Sequence, residues 1–231
     1  MSLQSPAPRP SPDLSPSLVP DRRRGTVLLE ARRHFMAQGY AATRVEPIAR
    51  DAGISTATLY TFFPSKAELF QAVIDDASDE FARQMDRVRD VDGPARCQLT
   101  RFAEAYTAFM SDPLVRSVFR VVMVEQPRFQ TMANHFFERG KARIGATLVD
   151  AISALTERGE LACDKPSWAA GQLMGMLEHP VFFVPIVTGD AVQVRRTHAQ
   201  IAADAVATFL ARYGGPNLDV NAPEPDDDPR A

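Results

Sequence analysis

Apolar positions recur every three to four residues along almost all of the stretch from residue 22 to residue 213. Nowhere do they alternate with polar ones for long enough to describe a strand. Leu28, Ala31 and Phe35 line one face of a helix predicted over residues 22–38, with Gly39 at its stop. Val45, Ile48 and Ala49 give a short second helix over 45–51, and a third covers 56–62. A fourth starts after Ser65 and continues to about residue 89, turning Leu69, Phe70, Val73, Ile74 and Phe81 inward. Gly93-Pro94 marks a break. Five more helical patterns follow, at 95–110, 113–125, 127–158, 166–184 and 190–213. Asp112-Pro113 pairs an N-cap with proline at the first helical position, and Gly214-Gly215 stops the last helix. Pro180, inside the eighth, is expected to kink it. The fold class is therefore all-α: an N-terminal helical headpiece at 21–68, a larger C-terminal helical body at 90–215, and helix four joining them. Residues 1–20, with six prolines, and the Pro- and Asp-rich residues 216–231 have little apolar surface to bury and are expected to be disordered.

The headpiece holds the densest pattern of local signals. Thr43 with Glu46 and Ser65 with Glu68 each spell a capping box, Ala52-Gly53 ends one helix, and Ser55 caps the next. Two short helices joined by a Gly-containing turn describe a helix-turn-helix. Its second helix carries Thr56, Thr58, Tyr60 and Thr61 instead of a run of long charges. Short hydrogen-bonding side chains suit a helix whose backbone must approach base edges closely. Thr43, with Arg44 beside it, and Ser55 sit at helix N-termini that suit a phosphate, although both would also serve as plain caps. Arg22, Arg23 and Arg24 form a basic arm ahead of helix one. Charge follows the same division. Residues 22–66 hold eight Lys/Arg and three Asp/Glu, giving +5, so the rest of a chain of net charge −3 carries −8. A basic headpiece on an acidic body fits docking of one end on a polyanion.

Phe35, Gly39-Tyr40, Thr43, Ile48-Ala49, Ala52-Gly53-Ile54-Ser55, Thr58-Leu59-Tyr60, Phe63, Ser65-Lys66 and Glu68-Leu69 match in order and without a gap. Over about residues 24–72 the chain thereby resembles the DNA-binding domain of the TetR/AcrR family of bacterial regulators. One departure is Phe62, where many members carry His or Tyr. The resemblance implies nine helices arranged three plus six, a backbone-phosphate contact by Tyr60, and a place for Lys66 at the boundary of helix four. It also implies a homodimer built by the last two helices. Gly171, Leu173, Gly175, Leu177, Phe182, Ile201, Ala205 and Phe209 are the residues that would supply that interface. A two-fold dimer also follows from need, since one short helix-turn-helix reads too few bases to be specific.

In the body, Phe102, Tyr106, Phe109, Phe119, Met123, Phe136, Trp168, Met174 and His179 are candidates for the wall of a cavity between helices. Most fall at helical spacing and would serve equally as core. Met and aromatic walls suit an apolar or aromatic small molecule. No apolar run approaches the length of a membrane span, and the first twenty residues lack the apolar segment of a secretory signal. Cys97 and Cys163 are far apart, which suits a reducing cytoplasm. The four histidines show no metal-ligand spacing, and neither G-x-S-x-G nor a phosphate-binding loop occurs, so neither metal, cofactor nor catalytic residues are expected. The function expected is a ligand-responsive repressor released from a palindromic double-stranded operator by an apolar or aromatic effector. The alternatives are a helical-bundle carrier or enzyme, and a TetR-like protein repurposed for protein–protein interaction.

Overall fold

The computed structural model describes residues 18–86, 93–189, 191–192 and 194–219. The segments expected to be disordered lie outside these residues, except 18–20 and 216–219. Counting each helix that passes through a π turn as one, the described residues form nine helices and no strand beyond a single bridge between Leu161 and Gly214. The headpiece comprises α1 (Leu18–Ala42), α2 (Val45–Asp51) and α3 (Thr56–Phe62). α4 (Lys66–Asp86) leads to the body, which begins with α5 (Ala95–Ser111) and α6 (Pro113–Glu125). Next, α7 (Gln130–Phe137) passes through a π turn (Glu138–Ala142) into α8 (Arg143–Glu157). α9 (Pro166–Glu178) passes through a second π turn (His179–Phe183) into α10 (Val184–Thr188), and α11 (His198–Tyr213) closes the bundle.

The local signals decide the boundaries of the headpiece. Gly39, at φ 75°, breaks α1 in a backbone region that side-chain-bearing residues avoid. The break leaves carbonyls at the end of α1 without helical donors. Thr43 answers that need: it is 1 % exposed, and its hydroxyl lies 2.7 Å from the Gly39 carbonyl and 3.2 Å from that of His34. The expected Thr43–Glu46 capping box therefore does not form, and Arg44 is the N-cap of α2 without a side-chain bond. Ser55 does cap α3, accepting from the Thr58 N–H at 3.0 Å. Ser65 Oγ accepts from the Glu68 N–H at 3.1 Å and donates to its carboxylate. Ser55→Ala is expected to lower the stability of the headpiece by about 1 kcal/mol, read as a shift in the denaturation midpoint. An unchanged midpoint would mean that the turn does not depend on the cap.

In the body two expected starts move. α7 begins at Gln130, not at residue 127, because Phe129 turns aside to pack on the rings of Tyr40 and Phe70. α11 begins at His198, not at residue 190: Gly189 at φ 65° ends α10, and Thr197 with Gln200 forms a full capping box. Pro180, where a kink was expected, interrupts the regular α-helix. It falls in the second π turn, where a wider turn accommodates the missing N–H.

The body core is laid down where α5 packs against α11 and α9 and where α8 packs against α9. The headpiece is fixed to the body by α1 against α4 and α6, and by a knot of rings. Phe70 of α4 contacts Phe35 and Tyr40 of α1 at centroid distances of 5.0 Å each, and Phe129 of the body touches both Tyr40 (4.9 Å) and Phe70 (5.6 Å). Arg32 of α1 adds an ion pair to Asp76 of α4 at 2.5 Å. No unbroken apolar run reaches the length of a membrane span, as expected, although residues Pro166–Thr188 are long and apolar enough to cross a membrane by length and average composition. A third of the apolar window of this segment (33 %) is buried, with Leu173 and Leu177 fully enclosed.

Candidate nucleic-acid interface and body cavities

α3 is held by one buried anchor and capped at its start, so its outer face is presented rigidly. Leu59 turns into the core at 0 % exposure, while Ala57, Tyr60 (42 % exposed) and Thr61 face outward. Ala57 and Thr61 are one turn apart, with Tyr60 beside them. Ala57 was not among the residues singled out from sequence, since a lone alanine carries no donor or acceptor. Its value is its small size, which lets the backbone approach a groove. Two hydroxyls on this helix are already engaged locally. Thr58 Oγ1 shares a 2.8 Å hydrogen bond with Ser55, and Thr61 donates to the Thr58 carbonyl at 2.6 Å, leaving its oxygen as an acceptor. Thr56 and Thr58 are half-buried. Buried and committed to carbonyls, Thr43 cannot offer its hydroxyl to a phosphate, and that expectation is withdrawn.

The headpiece also carries exposed cations. Arg22, Arg23 and Arg24 are exposed, but they lie within α1 and not on an arm preceding it, because α1 begins at Leu18. The Arg24 guanidinium sits 5.1 Å from the centre of the Phe63 ring, at the end of α3. Arg44 is exposed at the start of α2, 3.9 Å from Glu46. Lys66 is more enclosed than expected. Its ammonium donates to the Ala41 carbonyl at 3.2 Å and lies 4.5 Å from the centre of the Tyr40 ring. Partial burial lowers its pKa, and Arg128 adds to the effect while Glu125 opposes it.

Between α1 and the end of α2, Glu30, His34 and Asp51 bring one potential ligand atom each within 4.8 Å of one another. Arg33 donates to Glu30 at 2.9 Å and to Asp51 at 2.7 Å, so the chain supplies its own cation there. The hydrogen bond with His34 is the largest influence holding the Asp51 carboxyl below the usual carboxylate range, with Arg50 and Arg33 assisting against partial desolvation.

The expected cavity wall in the body divides. Phe102, Tyr106, Phe109, Phe136 and Met174 are buried, with Phe119 partly so. They fill space: Phe102 stacks on Tyr106 at 5.6 Å, and Phe119 meets Phe136 and Phe182 edge-on at 4.9 Å each. Met123 (50 % exposed), Trp168 (67 % exposed) and His179 are on the surface, because α6, α9 and the second π turn direct those positions outward. The Tyr106 hydroxyl donates to the Glu178 carboxylate, and burial, reinforced by that carboxylate, raises the phenol pKa well above its ordinary value.

The expected interface residues divide as well. Leu173, Leu177, Ile201, Ala205 and Phe209 are spent on the core of their own protomer. Gly171 and Gly175 are exposed, Phe182 is half-buried, and the outward stripe is completed by Trp168, Gln172, Phe183 and Val187. Beside it, Gln172, Gly175, Met176, Thr208, Phe209, Arg212 and Tyr213 line a groove of about 440 Å³ between α9 and α11. The apolar spacing had shown which faces were apolar, but not which of two apolar faces points inward.

Residues 27–73 match the family described as bacterial regulatory proteins, tetR family, and residues 97–215 match the AefR-like transcriptional repressor C-terminal domain. The chain is 28 % identical over 144 residues to the nucleoid occlusion factor SlmA of Photobacterium profundum, covering 61 % of this chain and 72 % of that protein. Among solved structures, the flavonoid-responsive regulator FrrA superposes with a TM-score of 0.64 at 26 % identity, covering 86 % of this chain and 100 % of FrrA. A TetR family transcriptional regulator from Pseudomonas syringae pv. tomato gives a TM-score of 0.64 at 25 % identity, covering 84 % of this chain and 98 % of that one.

Proposed function

The chain belongs to the TetR family of bacterial transcriptional regulators, and from that premise we propose that it is a homodimeric repressor that leaves a palindromic operator when a small organic molecule enters its body. The observation that carries this is the outward face of α3, with Ala57, Tyr60 and Thr61 exposed and Arg24 beside Phe63 at its end, in a headpiece that also exposes Arg22, Arg23 and Arg44. The threonine and tyrosine oxygens meet base edges or phosphates, and the arginines hold the backbone. Lys66 contributes through the N–H groups it does not give to Ala41.

The dimer is formed by the stripe Trp168, Gly171, Gln172, Gly175, Phe183 and Val187 with the adjoining groove on α11. These are exposed positions of the last helices, apolar or small apart from Gln172, in place of the buried set expected from sequence. Two-fold pairing sets the recognition helices one turn of DNA apart, about 34–36 Å. An effector acts only through different affinities for the operator-bound and released conformations. Moving the dimer from mostly bound to mostly released takes a preference of about 10⁴-fold. α4 and the Phe35–Tyr40–Phe70–Phe129 knot connect the two parts and transmit that preference.

A binding selection tests the proposal. The purified chain is mixed with random double-stranded DNA at near-physiological salt, and the retained fragments are sequenced. A palindromic motif with half-sites about one turn apart is expected; retention without an enriched motif, lost as salt rises, would overturn it. The similarity to a nucleoid occlusion factor supports a second reading, a part in nucleoid occlusion in place of effector-released repression. An enriched motif whose binding no small molecule changes would favour that second reading.

A further inference from the structure

At the end of the body where α5 meets α6, a cavity of about 230 Å³ is lined by Ser111, Arg116, Val181, Pro185, Val192, Val194, Arg196 and His198. We propose that this cavity is a site for a small organic anion, a carboxylate bearing a single ring or a short alkyl chain. The inference deepens the repressor reading by naming a class of effector, and it rests on that reading for its regulatory consequence.

Three nitrogen-bearing side chains converge there from two directions. Arg116, in the first turn of α6, is only 8 % exposed and donates to the Ser111 carbonyl. Arg196 and His198 come from the entry to α11. Arg196 also pairs with Asp204, one turn and a half along α11, and both side chains are exposed. The N-terminal ends of α6 and α11 flank the cavity, and helix N-termini favour negative charge. Asp112 caps the first through the Leu114 N–H at 2.7 Å, and Thr197 caps the second. The remaining lining, Val181, Pro185, Val192 and Val194, offers an anion's organic part apolar contact and no hydrogen bond. The volume falls below the roughly 300–1,000 Å³ of pockets for drug-sized ligands, which limits the guest to one ring or a short chain.

The place of the cavity gives it reach. Arg116 begins the helix that packs against α1 of the headpiece. Beyond the other end of α6, Phe129 sits in the ring knot with Tyr40 and Phe70. An anion that draws on Arg116 thus acts on an element in contact with the DNA-facing part.

The test uses the full chain with benzoate, salicylate, butyrate and octanoate, each beside its neutral amide, followed by calorimetry. At least one acid is expected to bind with its amide at least tenfold weaker. Arg196→Gln combined with His198→Asn, both exposed positions, is expected to weaken that acid at least tenfold while leaving the melting temperature unchanged. Arg116→Lys serves as the buried counterpart. Equal affinity for acid and amide, unchanged binding by the double variant, or no binding of any of the four acids would overturn the site. Operator binding is measured separately with and without the acid. A chain that binds the acid through Arg196 and His198 but enriches no DNA motif would sink the repressor reading and leave the site standing. A chain that binds its operator and takes up none of the acids would do the reverse.

Discussion

Ala57→Glu is expected to abolish operator binding while leaving the fold intact. Position 57 is the second residue of α3, exposed, one turn before Thr61 and beside Tyr60. A glutamate there is a good helix former and stands in the first turn, where negative charge favours the helix. The stability of the headpiece should therefore stay the same or rise slightly. If α3 enters a groove, the new carboxylate faces phosphates and base edges in a site largely stripped of water. Like charges brought together at an interface cost several kcal/mol, so affinity should fall by about 100-fold or more. Ala57→Gln adds the same bulk without the charge and should lose much less. Fluorescence anisotropy with the selected operator at one salt concentration gives the comparison. Binding by Ala57→Glu within threefold of the unaltered protein would place the DNA on a different face and remove α3 from the proposed function.

Two of the three headpiece helices were legible in the sequence to the residue, since α2 and α3 occupy 45–51 and 56–62 as the periodicity predicts, whereas α1 begins at Leu18 and not at residue 22. Those helices are short and bounded by signals that act within a turn, such as the Ser55 cap and Gly53 at φ 69°. Thr43 was misread because its local pattern offers two answers. A threonine three residues before a glutamate can cap the helix ahead or satisfy the helix behind, and the break at Gly39 decides for the second. The start of α11 was misplaced although Thr197 and Gln200 spell its capping box, because Ala191, Val192 and Val194 continue an apolar pattern that a loop happens to share. The body site was least legible. Met123, Trp168 and His179 are residue types that line cavities, but their direction depends on the rotation of α6 and α9 about their axes. Partner helices far away in sequence set that rotation. The cavity at the start of α6 gathers Ser111, Arg116, Val181 and His198 from four elements, and no spacing within one helix could have announced it.

Phe70→Ala is expected to cost the most stability of any single change considered and to separate headpiece from body as well. Phe70 is fully buried and sits at the centre of the ring knot, touching Phe35, Tyr40 and Phe129. Truncating a buried phenylalanine to alanine costs about 3–5 kcal/mol, from lost transfer energy and the cavity left behind. Against a typical total of about 5–15 kcal/mol, the variant should unfold at a clearly lower denaturant concentration. The second effect follows from where the cavity opens. Rings from α1, α4 and the turn before α7 meet at Phe70, and removing it leaves Tyr40 and Phe129 in contact without the α4 ring behind them. The headpiece then loses its register with the body, so effector occupancy should no longer alter operator affinity. Phe136→Ala separates the two effects. It empties a similar volume within the body, where Phe136 packs on Phe81 and Phe119 and touches no headpiece residue of the knot. Its stability loss should be comparable, yet effector release should persist at temperatures where the variant stays folded. If Phe70→Ala lost 3–5 kcal/mol but still released its operator as Phe136→Ala does, the knot would be packing alone, and the coupling would run instead through the contacts of α6 with α1.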